Sequence, residues 1–165
     1  MNILNEFSKI TEVAIRSPLS SFIDNDKILN EWKALRFHAK PNLKRAMIEY
    51  THFKGLLEDD GISIIDLPSS KILTIDSIYT RDSILISKGG LILCNMGRSS
   101  RTPEAIANFN ALASQGYKMA GQIKAPGTLE GGDFIWIDDH HAAVGLGPRT
   151  NTEGIRQLKE ILVPS

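Results

Sequence analysis

One cysteine in 165 residues, Cys94, rules out an internal disulfide. That scarcity suits a reducing compartment. Charge of one sign is missing as well: Lys+Arg and Asp+Glu both total 19 and the net charge is zero. No global field therefore favours nucleic acid or an anionic membrane. No apolar run approaches the ~18–20 residues needed to span a bilayer. The start Met1-Asn2-Ile3-Leu4-Asn5-Glu6 lacks the basic opening and apolar centre of a signal peptide. A cytoplasmic protein is the expectation. A phosphate-binding glycine loop is absent too, because Gly131-Gly132 neither precedes a Lys-Ser/Thr pair nor opens a helix. His140-His141 in a hairpin turn has no third ligand at metal-site spacing. No metal and no organic cofactor are expected. What remains is 42% hydrophobic and 23% charged, the balance of a folded chain. At this length it reads as a single domain over residues 1–165.

The stretch from Ala125 to Asp133 stands out. A Pro-Gly turn delivers Glu130 onto Gly131-Gly132, and Asp133 then opens the apolar run Phe134-Ile135-Trp136-Ile137. Glycine pairs serve where backbone approaches something closely or takes positive φ. Carboxylates in loops at strand ends are common places for ligand contacts. A plain acidic turn is the competing reading.

Ile10 to Arg16 alternates and is rich in β-formers, so it predicts a strand, with a loose polar stretch after it through Asp26. Leu43, Met47, Tyr50, Phe53, Lys54 and Leu57 keep helical spacing from Asn42 to about Leu57, and Gly61 stops that helix. Ile62 to Leu67 makes a strand ended by Pro68. Thereafter the chain repeats itself. Asp82 to Ile86 and Leu91 to Cys94 predict two strands about a Lys-Gly-Gly turn, followed by a helix from the Gly97–Glu104 region to Ala113. Asp133 to Ile137 and Ala142 to Leu146 predict two more strands, then a helix through Ile161; Tyr117 to Ile123 is a short strand between the two sets. Self-similarity at about 50 residues signals a modular α/β fold with mixed sheets, its units packed around an axis.

If so, Asp76, Asp82, Glu130, Asp133, Arg101 and Arg149 stand at equivalent strand ends that converge on one mouth. Carboxylates match the paired N–H donors of a guanidinium, and arginines match a carboxylate. Such a mouth suits an arginine-like zwitterion. The alternative is that the arginines pair with these carboxylates and tie modules together. Cys94 lies in an apolar strand, where a thiol is usually inert packing. His38 and His52 have no partner in sequence and read as helix-surface residues; Trp32, Phe134 and Trp136 fit core or mouth-lining positions.

Ile78-Tyr79-Thr80-Arg81-Asp82, Gly97 to Arg101, Ala125 to Asp133, and Val144 to Gly154 together resemble motifs of the guanidino-modifying (amidinotransferase/deiminase) superfamily, most closely dimethylarginine dimethylaminohydrolase. The likeness extends from Ile10 to Leu162, and Thr80-Arg81-Asp82 is more like the arginine deiminase form. The resemblance implies a pentein-like five-module α/β propeller without cofactor. In it a cysteine thiolate attacks the guanidinium carbon and a histidine is general acid/base, so arginine or N-methylated arginine gives citrulline and an amine. Asp82 matches the carboxylate that grips the guanidinium. Glu130 matches the catalytic glutamate that orients the histidine and contacts substrate nitrogens. Arg101 and Arg149 match the arginines that receive the substrate α-carboxylate. Asp76 is a looser match to an acidic residue in the same wall, and Asp133 is a candidate substrate-binding residue by its charge at a strand end.

The family's histidine and nucleophilic cysteine lie downstream of the stretch matched by Arg149-Thr150-Asn151, and neither Cys94, His140 nor His141 matches them. The chain is therefore expected to be the substrate-binding N-terminal part of a longer protein, inactive alone, or else to be completed by a partner chain or a second copy. Amidino transfer, a non-catalytic guanidinium-binding module, and a purely structural domain are the rival readings.

Overall fold

The computed structural model describes residues 5–163. It forms two compact units, residues 9–80 and residues 5–8 with 81–163.

The first unit pairs strands β1 (Glu12–Ile15) and β2 (Ser63–Asp66) in parallel, Val13 opposite Ile64. Parallel strands need a long crossover, supplied here by helices α1 (Pro18–Phe22), α2 (Asn25–Glu31) and α3 (Leu43–Asp59). The first, and the start of the second, lie where the sequence predicts a loose stretch through Asp26. Short helices carry little periodic signal, but their caps are plain. Ser17 accepts from the Ser20 N–H at 3.0 Å with Pro18 in the first turn, and Asp24 accepts from Lys27 N–H at 2.8 Å. Asn42 caps α3 in the same way, and Gly61 at φ +74° lets the chain turn out of it. Phe22, Ile28, Leu35 and Ile75 form the core of this unit.

The second unit contains the repeat. Strands β3 (Ile84–Ser87) and β4 (Gly90–Leu93) form an antiparallel hairpin, helix α4 (Pro103–Ala113) crosses over, and β5 (Met119–Gln122) returns parallel to β4. The sheet order is β3-β4-β5. A second hairpin, β6 (Phe134–Trp136) with β7 (Ala142–Val144), leads into helix α5 (Thr152–Leu162). Leu85, Ile92, Cys94, Met96, Ile123, Leu129, Phe134 and Leu158 make one buried cluster from both hairpins, the segments that follow β4 and β5, and α5. Phe134 and Trp136 meet edge to face at 5.1 Å, and the Trp136 indole N–H donates to the Ile86 carbonyl at 2.8 Å.

The strands begin later than the sequence predicts. Asp82 lies in a 3-10 turn, Thr80–Ser83, ahead of β3, and Asp133 ends another, Gly131–Asp133, ahead of β6. In both modules a carboxylate thus sits at the strand entrance, where its side chain can leave the alternating pattern of the sheet.

Candidate functional site

The loop Ala125–Asp133 is placed by α5. Asn151, the cap of that helix, accepts from Gly154 N–H at 2.8 Å and from Thr128 N–H at 3.0 Å, while its amide donates to the Pro126 carbonyl at 2.9 Å. Gln157 accepts from Lys124 N–H and donates to the Lys124 carbonyl, at 2.8 and 2.9 Å. On the other side, the Asn95 amide donates to the Gly127 carbonyl at 2.6 Å. The helix can lie this close because residue 154 is glycine: a Cβ there would overlap the Thr128 carbonyl oxygen.

That loop delivers Glu130 and Asp133, and Thr150 joins them. Its hydroxyl, fully buried, accepts from Glu130 N–H at 3.1 Å and donates to an Asp133 carboxylate oxygen at 2.6 Å. The Glu130 carboxylate accepts from Gly97 N–H at 3.1 Å and from Arg149 Nη1, which lies 3.0 and 3.1 Å from its two oxygens. Gly97 lets the two strands of backbone meet, since a Cβ there would come within 2.6 Å of Arg149 Cα. A carboxylate held from two sides by charge-assisted and backbone donors has one orientation.

A second cluster surrounds Asp82. Arg101 Nη1 donates to Asp82 Oδ2 at 2.6 Å, and its Nε and Nη2 donate side by side to the two oxygens of Glu104 at 2.8 Å each. Arg101 is 4% exposed and Glu104 0%, whereas the Asp82 side chain is 23% exposed. Among the described residues nothing hydrogen-bonds Asp82 Oδ1, which points along Gly132, where a Cβ would come within 2.7 Å. Burial alone would lower the Arg101 pKa, but the bonds and charges of Glu104 and Asp82 outweigh it and hold the guanidinium firmly protonated.

The two arginines predicted to receive a carboxylate are thus differently placed. Arg149 is 33% exposed and spends one nitrogen on Glu130; among the described residues no hydrogen bond reaches its Nη2 or Nε. Arg101 has three of its nitrogens engaged and is buried. Both arginines pair with carboxylates, but the Asp82–Arg101–Glu104 contacts lie within one hairpin–helix module and so tie no modules together. The partner that sequence reasoning missed is Glu104, and its signal was there: an Arg and a Glu three residues apart across the start of a helix. Thr150, Asn151 and Gly97 were also passed over as site-forming residues, although each belongs to a quoted motif.

Asp76 is buried in the other unit, in a 3-10 turn, Ile75–Ile78. Cys94 is 3% exposed in the core, and burial, with the charges of Asp82 and Glu130 added, pushes its thiol well up from the ordinary range. Such a thiol is not poised as a nucleophile. In the β6–β7 turn, His141 Nδ1 lies 2.9 Å from both Asp138 oxygens, and the described residues contain no group of three His, Cys, Asp or Glu fit to hold a metal. No described helix is long and apolar enough to cross a membrane.

Comparison with known proteins gives this geometry a setting. The N(G),N(G)-dimethylarginine dimethylaminohydrolase of Pseudomonas aeruginosa is 29% identical over 123 residues, 74% of this chain and 48% of that one. A solved dimethylarginine dimethylaminohydrolase in adduct with S-methyl-L-thiocitrulline superposes with a TM-score of 0.76 at 25% identity, covering 93% of this chain and 57% of that one. The N-terminal domain of a cyanobacterial arginine dihydrolase, bound to its product, shares the fold at 16% identity with a TM-score of 0.74, over 92% and 54% of the two chains. The chain spans about half the length of the relatives it matches. The fold is the pentein-like α/β propeller class, of which this chain carries part of the module set. A family model described as "N,N dimethylarginine dimethylhydrolase, eukaryotic" matches residues 22–162, and the chain belongs to that family.

Proposed function

We propose that the protein hydrolyses the guanidinium group of arginine or an N-methylated arginine to citrulline and an amine, and that this chain supplies the substrate-binding half of the site. The observation that carries this is Asp82. Arg101 ties one of its oxygens and leaves the other without a partner among the described residues, on a side chain that is partly exposed. A half-used carboxylate beside a buried, balanced ion pair suits an incoming planar cation. Arg149, with two guanidinium nitrogens unspent among the described residues, suits the α-carboxylate at the other end of an amino acid. Glu130, fixed by Gly97 and Arg149, suits orientation of a histidine and contact with substrate nitrogens. Asp133 supports it through Thr150.

The covalent chemistry belongs to residues beyond this chain. A cysteine thiolate adds to the guanidinium carbon, and the amine leaves with a proton from a histidine. Water then attacks the thiouronium carbon, giving the ureido product and regenerating the thiolate. Cys94, buried with a raised thiol pKa, is not assigned that role. The remaining portion of a longer protein, or a completing chain, supplies both groups.

The inert Cys94 favours one second reading, a guanidinium-binding module without turnover. Citrulline release separates the two. The longest native form, offered arginine and methylated arginines, is expected to release it; citrulline from none of them sinks the hydrolase. Glycine as acceptor amine distinguishes amidino transfer. Arginine binding lost in Asp82→Asn, with no turnover, is the outcome the binding module requires.

A further inference from the structure

Strand β6 pairs with β7 along one edge only, and its other edge is covered by side chains. The Asp133 carbonyl accepts from Gly145 N–H and Ile137 N–H donates to the His141 carbonyl, at 2.7 and 2.9 Å, so these residues face β7. Antiparallel pairing alternates, and the backbone groups of Phe134 and Trp136 therefore point the other way. Arg81 Nη2 donates to the Phe134 carbonyl at 3.0 Å, and Glu6 Oε1 accepts from Trp136 N–H at 3.4 Å. The same nitrogen and the same oxygen pair with each other at 3.0 Å. A carbonyl and an N–H two residues apart are what one residue of a parallel neighbour strand would engage. The ion pair takes that residue's place on the edge.

Arg81 also immediately precedes Asp82 in the turn Thr80–Ser83. The Arg81 carbonyl lies against Gly131, where a Cβ would come within 2.2 Å, and Asp82 Oδ1 lies against Gly132. The Arg81 guanidinium at Phe134 and the Asp82 carboxylate at Gly132 thus sit two residues apart along one segment. That is a span of at most ~7 Å between Cα atoms, within the ~10 Å over which a charge is felt at 0.1 M salt.

We propose that Glu6 is a positioning residue for guanidinium recognition: paired with Arg81 on the outer edge of β6, it compensates the arginine's charge and holds it at the Phe134 carbonyl, so that Asp82 keeps its negative charge for an incoming cation. This rests on Asp82 being the guanidinium site. With Glu6 removed, Arg81 keeps its charge, loses its counter-ion and is free to turn toward the carboxylate beside it, in competition with the ligand. The two side chains are 57% and 41% exposed, so the pair adds little to stability. Its loss therefore shows in binding rather than in folding.

Two ligands and one amide test this on the longest native form. Arginine and agmatine, which has the guanidinium but no carboxylate, are titrated calorimetrically, and hydrogen exchange is followed at Trp136 N–H. Glu6→Ala is expected to speed that exchange and to lower both affinities alike by about three- to fivefold, the scale of one exposed charge interaction. Adding Arg81→Gln to Glu6→Ala removes the uncompensated cation and leaves an amide able to donate to Phe134; both affinities should then recover. A purely structural strap would not show that recovery, so a double variant as weak as Glu6→Ala overturns the proposal. Unchanged affinities in Glu6→Ala overturn it, and so does a loss confined to arginine, which would place the effect at the carboxylate end. Trp136 exchange that is the same with and without Glu6 shows that the edge contact is not formed, and the proposal fails while the guanidinium site stands. If the unsubstituted protein binds neither ligand, the guanidinium site itself is wrong and the role of Glu6 falls with it.

Discussion

Arg149 meets Glu130 through a single nitrogen: Nη1 lies 3.0 Å from one carboxylate oxygen and 3.1 Å from the other. This end-on pairing leaves the flat side of the guanidinium fork for something else. Arg149 is 33% exposed, but the Glu130 side chain is 8% exposed, so removing the arginine leaves a largely buried carboxylate with the Gly97 N–H as its remaining donor among the described residues. Arg149→Ala is accordingly expected to cost about 1–3 kcal/mol of stability. Calorimetry should show arginine affinity reduced by about tenfold or more. A large stability loss with unchanged affinity would assign Arg149 to scaffolding.

Gly154 lies in the first turn of α5 against the Thr128 backbone. A Cβ there would overlap the carbonyl oxygen and come within 2.7 Å of the carbonyl carbon. Backbone cannot yield as a side-chain tip can. Gly154→Ala should therefore cost about 1–3 kcal/mol despite alanine's better helix propensity. For a chain of this size that is several degrees of melting temperature. A variant as stable as the parent would show that the loop and α5 separate readily.

Cys94 should resist alkylation in the folded protein. Its thiol is buried and its ionised form is disfavoured by burial and by the carboxylates of Asp82 and Glu130. Iodoacetamide at neutral pH is expected to label it only after denaturation. Labelling of the native protein at the rate of a free thiol would contradict its placement in the core.

Asp138 makes the acid behaviour of the β6–β7 turn predictable. Its carboxylate accepts from the backbone N–H groups of His140 and His141 at 2.8 Å each. The His140 bond first, then the His141 side chain, hold its pKa down at about 2. A carboxyl lowered on folding contributes stability above its ordinary value and loses it as pH falls through the folded one. The turn should thus stay capped at pH 4, with the His140 and His141 amide resonances shifting only near pH 2. Asp138→Asn should remove that transition. A midpoint at the ordinary aspartate value would mean the bonds are not formed in solution.

The modules were legible because hairpins and amphipathic helices announce themselves through period, glycine turns and caps, and because two copies lie in one chain. α1 and α2 were not legible: at five and seven residues they are too short for periodicity, and only Ser17-Pro18 and Asp24 mark them. Asp82, Glu130, Asp133 and Arg149 are candidates that charge type at strand ends and motif single out in the sequence. Thr150 and Gly97 were overlooked because a hydroxyl and a bare backbone N–H carry no signal until folding brings them to a carboxylate.

From its sequence alone the protein is an α/β chain with repeated hairpin–helix modules, carboxylates at strand entrances and arginines opposite them. Those are local properties, set by side-chain type and spacing. Which arginine is spent and which is open was decided only in three dimensions. Arg101 and Arg149 follow similar strands and precede similar helices, but one is walled in by Glu104 and the other faces water beside Glu130. Burial and hydrogen-bond partnership depend on residues distant along the chain, and they separate two arginines that the sequence presents as equals.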